Sequence, residues 1–215
     1  MDDVAFRIAT AASLALFFPI GAYYRARSHT GEPLRRRDEG LIPLLGLRIL
    51  GLVGAALLAA YLIDPETVRW SALPLPVPLR WSGLPLLWIS LLWGVWMFRA
   101  LGRNLTDTVN VRANAALVTH GPYCWVRHPM YLGVAGLTVA LGLLTANALL
   151  ATIGVAVTAL LLVRARTEES KLEERFGDAY RAYRSRTGFF LPRLRSGSEI
   201  VPPIAAPETG RHDLH

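Results

Sequence analysis

The chain has 215 residues, 53% of them hydrophobic, and a formal net charge of +7. That apolar share exceeds the usual range of a soluble domain, and it falls in long blocks with few charges inside. A lone cysteine, Cys124, excludes an internal disulfide and a cysteine-based zinc cluster, and no metal site is expected. The basic residues flank hydrophobic blocks and form no nucleic-acid motif, which argues against nucleic-acid binding and for anionic lipid headgroups.

A helix needs about 20 mostly apolar residues to cross a bilayer. The first candidate runs from about Val4 to Tyr24, with Arg7 near its end and Pro19 a possible kink. It lacks the basic start of a secretory signal and is expected to be retained. The second runs from about Leu41 to Ile63 and contains Arg48, which either faces the protein interior or snorkels to an interface. Pro65, Pro74, Pro76 and Pro78 then predict an irregular surface loop from Asp64 to Gly83, with Trp70 and Trp81 at headgroup depth. A third span follows from about Leu84 to Leu101. After a polar connection, the apolar block from Met130 to Val163 is too long for one span, so it is expected to fold as a helical hairpin. The turn falls at Asn147 or near Gly142.

The charges agree with this count. Arg25, Arg27, Arg35, Arg36 and Arg37 follow the first span, Arg99, Arg103, Arg112 and Arg127 the third, and Arg164, Arg166, Lys171 and Arg175 the fifth. The proline loop holds only Arg69 and Arg80, offset by Asp64 and Glu66. The alternation places the N-terminus outside and the C-terminus in the cytoplasm. The expected fold class is therefore all-α: a polytopic integral membrane protein with about five transmembrane helices, its C-terminal hairpin followed by a cytosolic amphipathic helix. The expected division is an N-terminal two-helix region with the proline loop (1–83), a membrane core (84–195) and a flexible tail (196–215).

Two polar segments flank the hairpin. In the first, Gly121-Pro122 marks a turn, and Arg127 and His128 precede Pro129 at a helix start, where free N–H groups attract a carboxylate or phosphate. An interfacial anchor is the alternative use of the same residues. In the second, Leu172, Phe176, Tyr180 and Tyr183 share a helical face, with Glu169 nearly on the same stripe and Gly177 as a bend. Glu168 and Glu169 either face inward or make surface pairs with Lys171 and Arg166. Gly133, Gly136, Gly142 and Gly154 on the hairpin suit close helix packing.

Gly121-Pro122-Tyr123, Arg127-His128-Pro129-Met130-Tyr131 and Glu168-Glu169 with Phe176-Gly177-Asp178-Ala179-Tyr180 resemble the isoprenylcysteine carboxyl methyltransferase family, which is similar in turn to the membrane phospholipid methyltransferases. The resemblance runs from about Leu101 to Pro192, and Leu101-Gly102-Arg103-Asn104-Leu105-Thr106 looks like bacterial members of the group. It implies a bacterial inner-membrane enzyme that uses S-adenosylmethionine at the cytoplasmic face. The acceptor is a lipophilic or lipid substrate, either a carboxylate of isoprenylcysteine type or a lipid amine. Carried over to this sequence, the cofactor-binding residues are Tyr123, Arg127, His128, Tyr131, Gly133, Glu168 and Glu169, and the catalytic ones Arg127 and Glu169. Arg127 or Arg164 would orient a carboxylate acceptor, and Glu168 or Glu169 would deprotonate an amine. A membrane reductase of the steroid 5-alpha-reductase type, using a nicotinamide cofactor, is the rival enzyme class. A transporter is disfavoured, because no inverted repeat is present and intramembrane charges are few.

Overall fold

The computed structural model describes residues 2–27, 41–102 and 116–193. The Arg35–Arg37 cluster, the Asn104 segment and the tail lie outside the described residues. Among those described, the chain is helical: α1 (Asp2–Arg27), α2 (Leu41–Ile63), α3 (Val77–Trp81), α4 (Gly83–Leu101), α5 (Pro129–Thr145), α6 (Ala148–Phe176) and α7 (Asp178–Arg186). Among the described residues β pairing consists of two isolated bridges, Ala72 with Asn147 and Val126 with Gly188. The continuous apolar stretch Val77–Leu101 and helices α1, α2 and α6 are long and apolar enough to cross a membrane, whereas α5, with 17 residues, is shorter than that. Arg48 lies on the exposed face of α2, the snorkelling position.

The proline-rich segment is more ordered than its composition predicts. Pro65–Ser71 forms a 3-10 helix capped by Asp64, and Val77–Trp81 forms a short α-helix that leads into α4. Prolines are tolerated here because they stand in the first turns, where their missing N–H has no partner to lose. Trp81 packs inward on the helix end, its ring 4.4 Å from that of the buried Phe6. Trp70, by contrast, is exposed.

One core cluster joins α1, α4 and α5 through Phe6, Leu87, Ala140 and Leu144. Gly83 permits that approach, since a Cβ there would lie 2.8 Å from the Ala140 carbonyl oxygen. A second cluster joins α5 and α6 through Tyr131, Leu161 and Ala165, with Leu47 of α2 and the ring pair Phe189 and Phe190 packed on it.

The break between α5 and α6 falls at Ala146 and Asn147. Ala146 takes the left-handed conformation (φ 47°), and the Asn147 side chain accepts from the N–H groups of Leu149 and Leu150. Its amide also donates to the Val68 carbonyl and to Ser71 Oγ (2.7 Å), which docks the 3-10 turn onto the helix end. Arg80 covers the other side: it donates to the Leu144 carbonyl, pairs with Asp3 at 2.8 Å and lies over the Phe6 ring. Arg7 likewise caps α2 through the carbonyls of Leu62 and Ile63.

α6 has 29 residues and is therefore about 43 Å long, more than the ~30 Å hydrocarbon core. Glu168 and Glu169 follow the helix start by roughly 30 Å, so they stand at the rim opposite Asn147. Removing the cap should weaken the end of the bundle that carries this register. Asn147→Ala is expected to lose about 1 kcal/mol or more and to lower the thermal midpoint in detergent by several degrees. An unchanged midpoint would show that Asn147 is dispensable there.

Candidate functional site

At the rim that holds Glu168 and Glu169, three pieces of chain meet: residues 121–131, the last turns of α6, and the segment that follows α7. Gly121 starts the first with a positive φ of 63°, and a Cβ there would press on Ala100 of α4. Pro129 then opens α5, with His128 as its N-cap residue. Gly177, at φ 52°, ends α6 and starts α7, so that Tyr180 and Tyr183 turn inward and become buried. The Tyr183 hydroxyl donates to the Tyr123 carbonyl at 2.7 Å.

The chain beyond α7 pairs with the first segment as a short parallel ladder. Gly188 N–H donates to the Trp125 carbonyl, Arg127 N–H to the Gly188 carbonyl (2.8 Å) and His128 N–H to the Phe189 carbonyl (3.3 Å). Gly188 is required by space, because a Cβ there would collide with the Leu191 carbonyl.

Side chains complete the junction. Arg127 Nε donates to Glu169 Oε1 at 2.6 Å, and its Nη1 donates to the carbonyls of Thr187 and Arg184. The two ion-pair side chains are only 8% and 12% exposed. His128 Nε2 lies 3.3 Å from the same Glu169 oxygen, and its ring stacks parallel to Tyr131 at 5.2 Å. Tyr131 donates to Glu168 Oε2 at 2.6 Å. Glu168 is the more open carboxylate, 32% exposed, with His128 Nδ1 3.8 Å away. Arg184 approaches the second oxygen of Glu169 at 3.8 Å and also pairs with Glu173.

Burial of such a pair costs desolvation, and loss of either partner leaves an uncompensated charge, typically a 3–5 kcal/mol penalty. Arg127 and Glu169 therefore hold each other and the Thr187 turn in place. Burial pushes the phenols of Tyr123, Tyr180 and Tyr183 up, with the Glu168 charge adding at Tyr123 and the Glu169 charge at Tyr180. All three are neutral at physiological pH, and of them Tyr183 donates to the Tyr123 carbonyl.

The structure thus brings Tyr123, Arg127, His128, Tyr131, Glu168 and Glu169 to one place. Gly133 stands apart: a Cβ on it would lie 3.1 Å from Trp93 Cδ1, so it serves the approach of α5 to α4. Trp93 Nε1 reinforces that approach by donating to the Pro129 carbonyl. Glu168 and Glu169 face inward, and Lys171 pairs with Glu174 instead. Sequence reasoning passed over Thr187, Gly188, Phe189 and Phe190. Their only signal was a glycine followed by two aromatics just beyond a basic amphipathic helix. Among the described residues no group of three or more His, Cys, Asp or Glu could hold a metal ion.

The sequence model of the isoprenylcysteine carboxyl methyltransferase (ICMT) family matches residues 84–174, the stretch that supplies nearly all of α4, α5, most of α6, the first polar segment and Glu168–Glu169 of the second. In three dimensions the chain is similar to a eukaryotic intramembrane Ras methyltransferase, ICMT, with 19% identity, a TM-score of 0.56, and coverage of 90% of this chain and 68% of the other. At that identity the likeness is one of fold. No curated protein matches the chain in sequence.

The ladder around Gly188 makes a local test possible. Gly188→Ala is expected to break the pairing with Trp125 and Arg127, raising amide hydrogen exchange at Arg127 and His128 at least tenfold, roughly the effect of 1.4 kcal/mol or more of overpacking. Unaltered exchange at both amides would contradict the role assigned to this glycine.

Proposed function

We propose that the chain is an S-adenosylmethionine-dependent membrane methyltransferase that methylates a lipophilic acceptor at the cytoplasmic membrane rim, a reading supported by the ICMT-family match of segment 84–174 and by the likeness of fold. The observation that carries this site assignment is the meeting of Arg127, His128 and Tyr131 with Glu168 and Glu169, across about 40 residues of sequence, within hydrogen-bonding reach.

The donor set suits the cofactor. Its sulfonium and amine are cationic and its ribose offers hydroxyls, and the site presents an open carboxylate on Glu168 beside Tyr131 and His128, whose rings stack on each other. When bound, the cofactor supplies an electrophilic methyl group on sulfur. Glu168 takes the amine or the ribose hydroxyls, with Tyr131 fixing its rotamer. His128, at the N-terminus of α5, helps to hold the cofactor carboxylate. Tyr123 walls the site and keeps the loop in place. Arg127 and Glu169 act as the catalytic pair by orienting each other and the acceptor against its like-charged neighbours. Gly133 contributes by letting α5 seat on Trp93.

Methyl transfer is chiefly a positioning demand, because acceptor, methyl carbon and sulfur must lie in line. A carboxylate acceptor of isoprenylcysteine type is already nucleophilic at neutral pH and requires orientation by a cation. A lipid amine must first lose a proton, for which Glu168 or Glu169 is the candidate base. Although burial pushes it up, hydrogen bonds from His128 and Arg127 hold the Glu169 carboxyl down at about 2, so the more open Glu168 is the better proton acceptor. The same reading sets five spans in a bacterial inner membrane, α5 and α6 forming the hairpin, with α1 starting outside and α7 lying in the cytoplasm. The arginines Arg25, Arg27, Arg99 and Arg166 at one rim support it.

Binding of S-adenosylmethionine to the detergent-solubilised protein, read by calorimetry, tests the site, and transfer of labelled methyl to lipophilic acceptors tests the reaction. Glu168→Gln keeps an acceptor for Tyr131 but removes the charge, and it is expected to weaken cofactor binding about tenfold. A folded wild type without saturable binding would sink the proposal, and an unchanged affinity in the variant would remove Glu168 from it.

A further inference from the structure

Tyr180 stands in the first turn of α7, and its side chain is 0% exposed. Gly177 turns the chain there at a positive φ, and Tyr180 follows three residues later, one helical turn before Tyr183. The two rings lie 6.0 Å apart, yet their hydroxyls differ. That of Tyr183 donates to the Tyr123 carbonyl at 2.7 Å, as that of Tyr131 donates to Glu168 at 2.6 Å. The Tyr180 hydroxyl is buried and has no hydrogen-bond partner among the described residues. A buried phenol ordinarily has one, because it has given up its bonds to water and gains nothing until they are replaced.

The charges that act on this hydroxyl are, in order, those of Glu169, Arg127, Glu168 and Arg184, two carboxylates and two guanidiniums. These groups do not fully satisfy one another. Glu169 Oε1 receives Arg127 Nε at 2.6 Å and faces the His128 ring at 3.3 Å. Its Oε2 has Arg184 Nε at 3.8 Å, outside hydrogen-bonding range. Arg184 is half exposed and also reaches Glu173. Glu168 keeps acceptor capacity, since Tyr131 bonds its Oε2 and the carboxylate is 32% exposed. One buried hydroxyl is thus flanked by acceptors suited to a cation and by a guanidinium suited to an anion. A sugar or a purine ring needs neither charge, whereas a zwitterion needs both.

We propose that Tyr180 binds the zwitterionic amino-acid end of S-adenosylmethionine, its hydroxyl donating to the cofactor carboxylate beside Arg184 while Glu168 and the second oxygen of Glu169 receive the ammonium. The inference rests on the methyltransferase reading above and adds a binding residue and the part of the cofactor that it reads. A neutral phenol that donates to a carboxylate makes a short, charge-assisted bond. The ligand then supplies the partner that the fold leaves out. The hydroxyl of Tyr180 therefore serves recognition and adds nothing to the stability of the unliganded chain, in contrast to that of Tyr183, whose bond to the Tyr123 carbonyl ties α7 to the loop.

The test uses the full chain in detergent, as wild type and as Tyr180→Phe, titrated by calorimetry with S-adenosylmethionine and with its decarboxylated analogue, which lacks only the carboxylate. Tyr180→Phe is expected to weaken S-adenosylmethionine about tenfold and to leave the analogue within about twofold of its wild-type affinity. Without ligand, the thermal midpoint of the variant should equal or exceed that of the wild type, because no bond within the protein is lost. Equal weakening of both ligands would mean that the side chain only shapes the pocket. Unchanged affinity for both would mean that the hydroxyl does not reach the ligand. A midpoint several degrees lower would mean that a bond inside the fold engages it. Each of these three results overturns the assignment of Tyr180 while leaving the methyltransferase reading intact. A folded wild type with no saturable binding of S-adenosylmethionine would overturn that reading, and this inference with it.

Discussion

The ion pair between Arg127 and Glu169 is the constraint on which the rest of the rim depends. Neither group tolerates burial alone, and each is held where three segments of chain cross. Arg127 leaves the loop before α5, reaches the end of α6 through Glu169, and grips the turn after α7 through the Thr187 and Arg184 carbonyls. One side chain thereby fixes the relative position of all three. The ladder from Trp125 to Phe189 repeats the link in backbone atoms, and the packing of Phe189 on His128 repeats it in aromatic surface.

The membrane-spanning part supplies a different kind of force. Helices in a bilayer gain little from hydrophobic burial against one another and depend on close backbone approach and buried polar contacts. Gly83 against Ala140, Gly133 against Trp93 and Gly154 against Thr138 are three such approaches. At the opposite rim, Asn147, Arg80 and Arg7 satisfy helix ends that would otherwise leave carbonyl or N–H groups without partners. The bundle thus has polar clamps at both rims and small-residue contacts between them, and the Arg127–Glu169 cluster occupies one rim. Such a division leaves the lipid-facing sides of α5 and α6 available to hydrocarbon without disturbing the charged cluster.

Much of this was readable in the sequence because its signals are strong and local. Twenty-residue apolar blocks between arginine clusters identify helices long enough to span a bilayer. Asn147 after an apolar run marks a turn, and His128-Pro129 a helix start. The two polar clusters were legible as motifs, and their union at one rim follows once α5 and α6 are antiparallel neighbours. What the sequence did not disclose was the partnering. Spacing alone allowed Glu169 to pair with Arg166, and only the fold brings Arg127, 42 residues away, to it. The helix at Val77–Trp81 was hidden because proline density suggests coil, although a proline in a first turn permits helix. Thr187 to Phe190 were invisible as site residues, since their contribution is a backbone ladder, which leaves only a glycine and two aromatics as a trace.

A double-mutant cycle on cofactor binding tests the central role of the ion pair most directly. Arg127→Met, Glu169→Gln and the double variant would each be titrated with S-adenosylmethionine, their folding checked by thermal unfolding. If the pair acts as one device, each single change weakens binding about tenfold or more, and the double variant is no worse than the weaker single one. If the two losses multiply, the residues act independently and the pair does not organise the site.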